Sequence, residues 1–118
     1  MTESQLKVLI IEDEALVAML IEDMLVDLGH EVVGVGGRVQ HALRLAQEAE
    51  CDLAIVDLNL NGERTNAIAQ ALATRGVPFI FATGYGAAGV DADWRSVPVL
   101  QKPFEAHQLR AAISAALR

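Results

Sequence analysis

Val8-Leu9-Ile10-Ile11-Glu12-Asp13 is the stretch that decides the fold. Four consecutive aliphatic side chains followed by two carboxylates are typical of a strand that is buried on both faces of a parallel sheet. Three later runs have the same form and also end in a polar residue: Leu53-Ala54-Ile55-Val56 before Asp57, Phe79-Ile80-Phe81-Ala82 before Thr83, and Val97-Pro98-Val99-Leu100-Gln101 before Lys102-Pro103. Ligands of such sheets bind outside the carboxyl ends of the strands. We therefore expect three carboxylates, one hydroxyl and one ammonium group to meet at one edge of the sheet.

Helical patterns separate the strand-like runs along the whole chain. Apolar residues recur at helical spacing in four segments, which predicts helices over Glu14 to Leu28, Arg38 to Glu48, Asn66 to Thr74 and Glu105 to Leu117. A second strand is predicted between the first two helices, over Glu31 to Val35. The first of these helices carries an apolar stripe that consists of Val17, Leu20, Ile21, Met24, Leu25 and Leu28. Asn61-Gly62 marks a turn. This alternation predicts one α/β domain with a doubly wound, five-stranded parallel sheet and helices on both faces.

The segment between the fourth and fifth predicted strands differs from the other connections. Residues 84–93 contain three glycines and almost no large apolar side chain. Each glycine disfavours a helix by up to ~1 kcal/mol relative to alanine. We therefore expect the fourth helix to be short, frayed or absent.

Composition excludes several classes of protein. The net charge of −7 without a basic cluster argues against nucleic-acid binding, which depends on lysines and arginines that neutralise phosphates. The longest apolar stretch, Ala15 to Ile21, is far shorter than the ~20 residues of a membrane span, and the polar start shows no signal peptide. Cys51 is the single cysteine, so an internal disulfide is impossible. These features predict a cytoplasmic protein that does not contact membranes.

The acidic residues predict a metal site. Glu12, Asp13 and Asp57 would lie beside Lys102, and each like-charge pair costs on the order of 4 kcal/mol at ~4 Å and an effective dielectric near 20. One lysine cannot offset three carboxylates, and an all-oxygen ligand set favours Mg²⁺. The alternative for any one of these acids is a solvated loop residue.

This set of residues resembles the site of the response-regulator receiver domain of two-component signalling. The resemblance covers essentially the whole chain, residues 1–118. The matching residues follow four different predicted strands: Glu12-Asp13, Asp57, Thr83 and Lys102-Pro103. The stretch Pro78-Phe79-Ile80-Phe81-Ala82-Thr83-Gly84-Tyr85 is similar to the signature of the subgroup called FAT GUY. The resemblance implies the strand order 2-1-3-4-5 and a histidine kinase of the HWE or a related class as partner.

The resemblance also implies a role for each residue of the site. Asp57 would be the nucleophile that takes a phosphoryl group from a phosphohistidine and becomes phosphoaspartate. Mg²⁺ would be held by Asp13, Asp57 and the backbone carbonyl of Asn59, with Glu12 acting mainly through water. Lys102 would neutralise the phosphoryl oxygens during transfer.

Two further roles follow from the same resemblance. The Thr83 hydroxyl and the Gly84 backbone N–H would hydrogen-bond the phosphoryl oxygens of the product. The Lys102–Pro103 peptide bond would be cis, which aims the lysine into the site.

The chain departs from the usual receiver pattern at the switch position. Most receivers carry an aromatic residue three positions before the lysine, and Val99 stands there. We predict that Tyr85, two residues after Thr83, reports phosphorylation instead; the alternative is a surface tyrosine that only shields the site. The resemblance implies that Asn59 and Tyr85 flank the hydrolytic water, where the amide would orient it and the ring would obstruct it, so the phosphoryl lifetime stays open.

Three functions compete. The first is a stand-alone phosphoacceptor, which either switches a partner protein or drains phosphate from a shared kinase. The second is a phosphatase-like hydrolase, which commonly needs an acid two residues after the nucleophile, where Asn59 stands. The third is a pseudo-receiver that only binds a partner, against which the intact acidic set argues. The cognate kinase, the signal and the oligomeric state stay open.

Overall fold

The computed structural model describes residues 5–84 and 89–118. Over these residues strands and helices alternate: β1 (Lys7–Ile11), α1 (Ala15–Asp27), β2 (Glu31–Gly36), α2 (Val39–Glu48), β3 (Leu53–Asp57), β4 (Asn59–Leu60), β5 (Glu63–Arg64), α3 (Asn66–Thr74), β6 (Phe79–Thr83), β7 (Val99–Gln101) and α4 (Ala106–Ala116). The predicted helices and strands are present, and most of their observed ends lie within one residue of the predicted ends.

Five parallel strands form the main sheet in the order β2-β1-β3-β6-β7. This order confirms the predicted arrangement, with β6 and β7 as the fourth and fifth strands. The central strand β3 lies between β1 and β6, with Val56 opposite Ile11 and Asp57 opposite Ala82. The carboxyl ends of β1, β3 and β6 therefore lie side by side.

The two faces of the sheet carry separate hydrophobic cores, because successive side chains of a strand point to opposite faces. Val8 and Ile10 of β1 pack with buried residues of α1 and α4. Leu9 and Ile11 of the same strand pack with buried residues of α2 and α3. The continuous apolar runs in the sequence are thus explained by a sheet that is covered on both sides.

Helix α1 buries most of the stripe that its spacing indicates, because Val17, Met24 and Leu28 also pack, partly buried, against the core, but Leu20 is an exception. Ala18, Ile21 and Leu25 are buried, whereas Leu20 is 58% exposed and belongs to an apolar outer surface with Leu16 (75%). Apolar residues occur almost all round this helix, so the pattern alone does not select the face that meets the sheet. In the last helix, α4, the apolar residue Leu117 follows the final helical residue and is 47% exposed.

The loop after β3 forms a small hairpin that the sequence analysis predicted only as a turn. Strands β4 and β5 pair antiparallel, with Asn59 opposite Arg64. Asn61 and Gly62, at the tip, have φ values of 51° and 86°. Both values lie in the left-handed region that Asn-Gly adopts in tight hairpins.

The connection between β6 and β7 contains no long helix in its described part. Residues 89–98 include a 3₁₀ turn, Ala92–Trp94, in agreement with the expected short fourth helix, while residues 85–88 of that segment lie outside the described residues. The ring of Trp94 meets that of Phe79 edge to face, with 5.6 Å between the centroids. Among the described residues, no helix has the length and apolar character needed to cross a membrane.

Candidate functional site

Three carboxylates converge at the carboxyl edge of the sheet. Glu12 and Asp13 directly follow β1, and Asp57 ends the neighbouring β3. Each of the three offers an oxygen atom within 4.8 Å of the oxygens of the other two. Glu12 and Asp57 are buried, at 3% and 8% exposure, whereas Asp13 is partly exposed. The strand order therefore produces the convergence that the strand ends predict.

Lys102 supplies the positive charge of the cluster. It follows β7, and its Nζ donates to Glu12 Oε1 and to Asp57 Oδ2, both at 3.0 Å. Its backbone N–H donates to the carbonyl of Thr83 at 2.8 Å. The Lys102–Pro103 peptide bond is cis. One ammonium group thus faces three carboxylates, and the site has an excess of negative charge.

Burial, together with hydrogen bonds and neighbouring charges, changes the acid–base properties of the site. Burial raises the pKa of Glu12 from 4.5 to about 7, and the charge of Asp57 acts in the same direction. Hydrogen bonds from the Glu14 backbone N–H and from Lys102 oppose this rise. Burial alone would lower the pKa of Lys102, but its hydrogen bonds with Asp57 and Glu12 outweigh that effect and raise the pKa. Lys102 is therefore charged at neutral pH, while Glu12 titrates in the neutral range.

The hairpin loop holds the two aspartates in place. The Asn59 backbone N–H donates to Asp57 Oδ1 at 3.2 Å, and the Asn61 backbone N–H donates to Asp13 Oδ2 at 3.1 Å. The Asn61 side chain also donates to the carbonyl of Gly37 at 3.2 Å. The loop after β3 is thereby tied to the loop after β1. The Asn-Gly turn signal is the only feature of the sequence that points to this role of Asn61.

Thr65 supports the backbone of the acceptor strand and was also missed by the sequence analysis. Its side chain is 1% exposed, and its hydroxyl donates to the carbonyls of Asp57 at 2.7 Å and Leu58 at 3.2 Å. A threonine before a helix normally suggests a cap of that helix. Here the hydroxyl turns back to the strand, and no sequence signal distinguishes the two uses.

The remaining predicted residues have mixed outcomes. Thr83 ends β6, is 2% exposed, and lies one residue beyond the partner of Asp57 in the sheet. Val99 lies in β7 and packs, partly buried, against the core on the α2–α3 side. Tyr85, the proposed reporter, lies outside the described residues. Its role stays a prediction.

The donor set of this edge fits a small divalent cation. Glu12, Asp13 and Asp57 present carboxylate oxygens that lie close together, and the nearest cation, Lys102, leaves negative charge uncompensated. Hard oxygen ligands and room for several waters are what Mg²⁺ requires. The partly exposed Asp13 leaves one side of the cluster open to solvent.

The fold and this edge define a class of protein: a doubly wound α/β domain with an acidic pocket, a threonine and a lysine at the carboxyl ends of its strands. The family model described as the response regulator receiver domain matches residues 8–114. The chain belongs to that family.

Named relatives agree with this assignment. The phyllosphere-induced regulator PhyR of Methylorubrum extorquens is 35% identical over 116 residues, which cover 94% of this chain and 43% of PhyR. The solution structure of SdrG from Sphingomonas melonis is 41% identical, with a TM-score of 0.86, and covers 98% of this chain and 99% of SdrG. The BeF₃-activated conformation of SdrG is similar as well, at 42% identity and a TM-score of 0.82, with 98% and 100% of the two chains covered.

The relatives differ from this chain in length. The chain spans between 43% and 56% of the curated relatives that it matches. It matches nearly the whole of SdrG. The relatives are regulators by name, which agrees with a signalling protein rather than a metabolic enzyme.

Proposed function

We propose that the chain is a response-regulator receiver domain that accepts a phosphoryl group on Asp57 from the phosphohistidine of a sensor kinase. The observation that carries this proposal is the geometry around Asp57. Its carboxylate is held by the Asn59 N–H on one oxygen and by the Lys102 ammonium on the other, within the carboxylate cluster of Glu12 and Asp13.

The transfer needs a nucleophile, charge neutralisation and hydrogen bonds to the product. An Asp57 oxygen attacks the phosphorus, the phosphorus–nitrogen bond of the phosphohistidine breaks, and the leaving imidazole keeps the electron pair. Lys102, already 3.0 Å from Asp57, is placed to neutralise the oxygens of the phosphoryl group. The Thr83 hydroxyl and the Gly84 N–H are proposed to hydrogen-bond the product.

Asp13, Asp57 and the carbonyl of Asn59 would hold Mg²⁺, with Glu12 acting through water. When bound, the ion would neutralise charge that builds up on the transferred group. This assignment is supported by the excess negative charge and by the clustering of the three carboxylates. It also gives Asn61 a function, because its N–H fixes the orientation of Asp13.

The partners are a sensor kinase of the HWE or a related class and a downstream protein. The likeness to SdrG and PhyR supports a regulatory output, and PhyR of Bartonella quintana is named an anti-anti-sigma factor. The phosphorylated domain would switch a protein–protein contact or drain phosphate from a shared kinase. A cytoplasmic location and intrinsic self-dephosphorylation belong to the same proposal.

Phosphorylation of the purified protein tests the proposal. Incubation with labelled acetyl phosphate and Mg²⁺ should place about one base-labile acyl phosphate on each wild-type molecule. Asp57→Asn should abolish the label, while Asp23→Asn, which changes an exposed aspartate of α1, should leave it intact. Stoichiometric label on Asp57→Asn would exclude Asp57 as the acceptor.

A kinase experiment separates the two outputs. Lys102→Ala should still bind Mg²⁺ but should transmit the phosphorylation signal poorly, because the ammonium group that contacts Asp57 is lost. Fast return of phosphate to the kinase without a phosphorylation-dependent partner would indicate a phosphate sink. Turnover of small phosphate esters would instead favour a hydrolase.

A further inference from the structure

A chain of hydrogen bonds leads from the acceptor aspartate to the connection between β6 and β7. It begins at the Asp57 carbonyl, which accepts from the Thr65 hydroxyl at 2.7 Å. The two sequence neighbours of Thr65, Arg64 and Asn66, both donate hydrogen bonds to the carboxylate of Asp91. Arg64 donates to Asp91 Oδ1 at 3.0 Å, and Asn66 donates to Asp91 Oδ2 at 2.8 Å.

Further contacts seat the segment that carries Asp91. The Arg64 guanidinium also donates to the carbonyl of Gly89 at 3.0 Å. Gly89 lies beside the loop after Asp57, since a Cβ built on it would be in ordinary van der Waals contact with the Leu58 side chain, at 3.4 Å. The loop after Asp57 and the segment from Gly89 onward are therefore held together by polar contacts and by packing.

The chain of contacts ends at an optical probe. The Trp94 backbone N–H donates to the Asp91 carbonyl at 3.0 Å, and the indole meets the ring of Phe79 in β6. Trp94 is the single tryptophan of the sequence. Its fluorescence therefore reports on this segment alone.

We infer that Arg64, Asn66 and Asp91 form a clasp that transmits the state of Asp57 to the segment Gly89–Trp94. The inference rests on the proposed phosphorylation of Asp57, but the route does not pass through Thr83 or through an aromatic residue at position 99. Arg64, Asn66 and Asp91 act as positioning residues. They hold the segment against the loop that must adjust when the acceptor is modified.

The exposure of the clasp makes this role separable from a purely structural one. The Arg64 and Asp91 side chains are 45% and 48% exposed. Exposed ion pairs contribute little to global stability. Truncating either partner should leave the fold and the phosphorylation level close to wild type while the response of the segment is lost.

Trp94 fluorescence tests the clasp. The wild-type protein with Mg²⁺ should change its emission on addition of acetyl phosphate, in step with the label measured in parallel. Asp91→Ala should carry the same label with the fluorescence change lost. Asp93→Ala is the matched control, because Asp93 lies in the same 3₁₀ turn and makes no ion pair or hydrogen bond among the described residues.

A double-mutant cycle tests whether the two partners act together. Arg64→Ala should lose the response as Asp91→Ala does, and the double variant should show no additional loss. A full response in labelled Asp91→Ala, independent losses in the cycle, an equal loss in Asp93→Ala, or a labelled wild type without any response would each overturn the clasp. Absence of label on the wild type would overturn the proposed function itself, so the two failures are distinguishable.

Discussion

Replacing Asp13 by asparagine should stabilise the metal-free protein and weaken its response to Mg²⁺. The substitution keeps the shape of the side chain, and the new amide oxygen can still accept the hydrogen bond from the Asn61 N–H. It removes one negative charge from the cluster. The two effects have opposite signs, which separates electrostatics from a general loss of packing.

The size of the first effect follows from the separation of the charges. At the 4.8 Å limit of the carboxylate oxygens, one like-charge pair costs about 0.9 kcal/mol in a water-like dielectric and about 3.5 kcal/mol at an effective dielectric of 20. Because Asp13 is partly exposed, the lower figure applies to its pairs with Glu12 and Asp57. The metal-free variant should gain roughly 1–2 kcal/mol, or roughly 4–8 °C in Tm for a chain of this size.

The second effect concerns the metal. Loss of a residue that hydrogen-bonds to a metal ligand typically lowers the metal affinity 10–100-fold, so loss of a proposed ligand itself should lower it at least roughly tenfold. Thermal unfolding at pH 8, with and without Mg²⁺, measures both effects. Asp23→Asn is the control, since it makes the same charge change on the exposed side of α1. An Asp13→Asn variant that melts below this control without metal, or that keeps the wild-type shift with Mg²⁺, would refute the electrostatic reasoning.

Three other properties follow from buried or titrating groups. Burial raises the pKa of Glu12 from 4.5 to about 7. The contribution of Glu12 to metal-free stability is therefore complete below pH 4.5 and is lost as the pH rises through 7. Glu12→Gln should flatten this pH dependence of the free energy of unfolding, measured by denaturant titration. Thr65→Val should lower the free energy of unfolding by about 1–3 kcal/mol because the carbonyls of Asp57 and Leu58 lose a donor, whereas Thr65→Ser, which keeps the hydroxyl, should lose clearly less; equal losses would contradict the hydrogen-bond explanation. Burial raises the pKa of Cys51, so its thiol should react with a disulfide reagent more slowly at pH 7 than free cysteine does, and a faster reaction would count against that environment.

The sequence alone was sufficient to predict the parallel sheet and the residues that meet at its carboxyl edge. Val8–Ile11 and Leu53–Val56 are apolar throughout, and such short runs fit strands covered on both faces. In a parallel sheet all carboxyl ends share one edge. The residue that follows each run therefore has a known location before any side chain is placed, and Lys102 indeed contacts Glu12 and Asp57.

The tertiary structure alone decided which surfaces meet and which side chains hold the site. The α1 helix is apolar almost all round, so only its packing against the sheet shows that Ala18 is buried and Leu20 is exposed. The hydroxyl of Thr65 and the reach of Arg64 to Asp91 join residues 8 and 27 positions apart. Periodicity encodes which face of a segment is apolar, but it carries no information on the partner of a polar side chain. That partner is set by the distance between loops, which exists only once the sheet has brought them together.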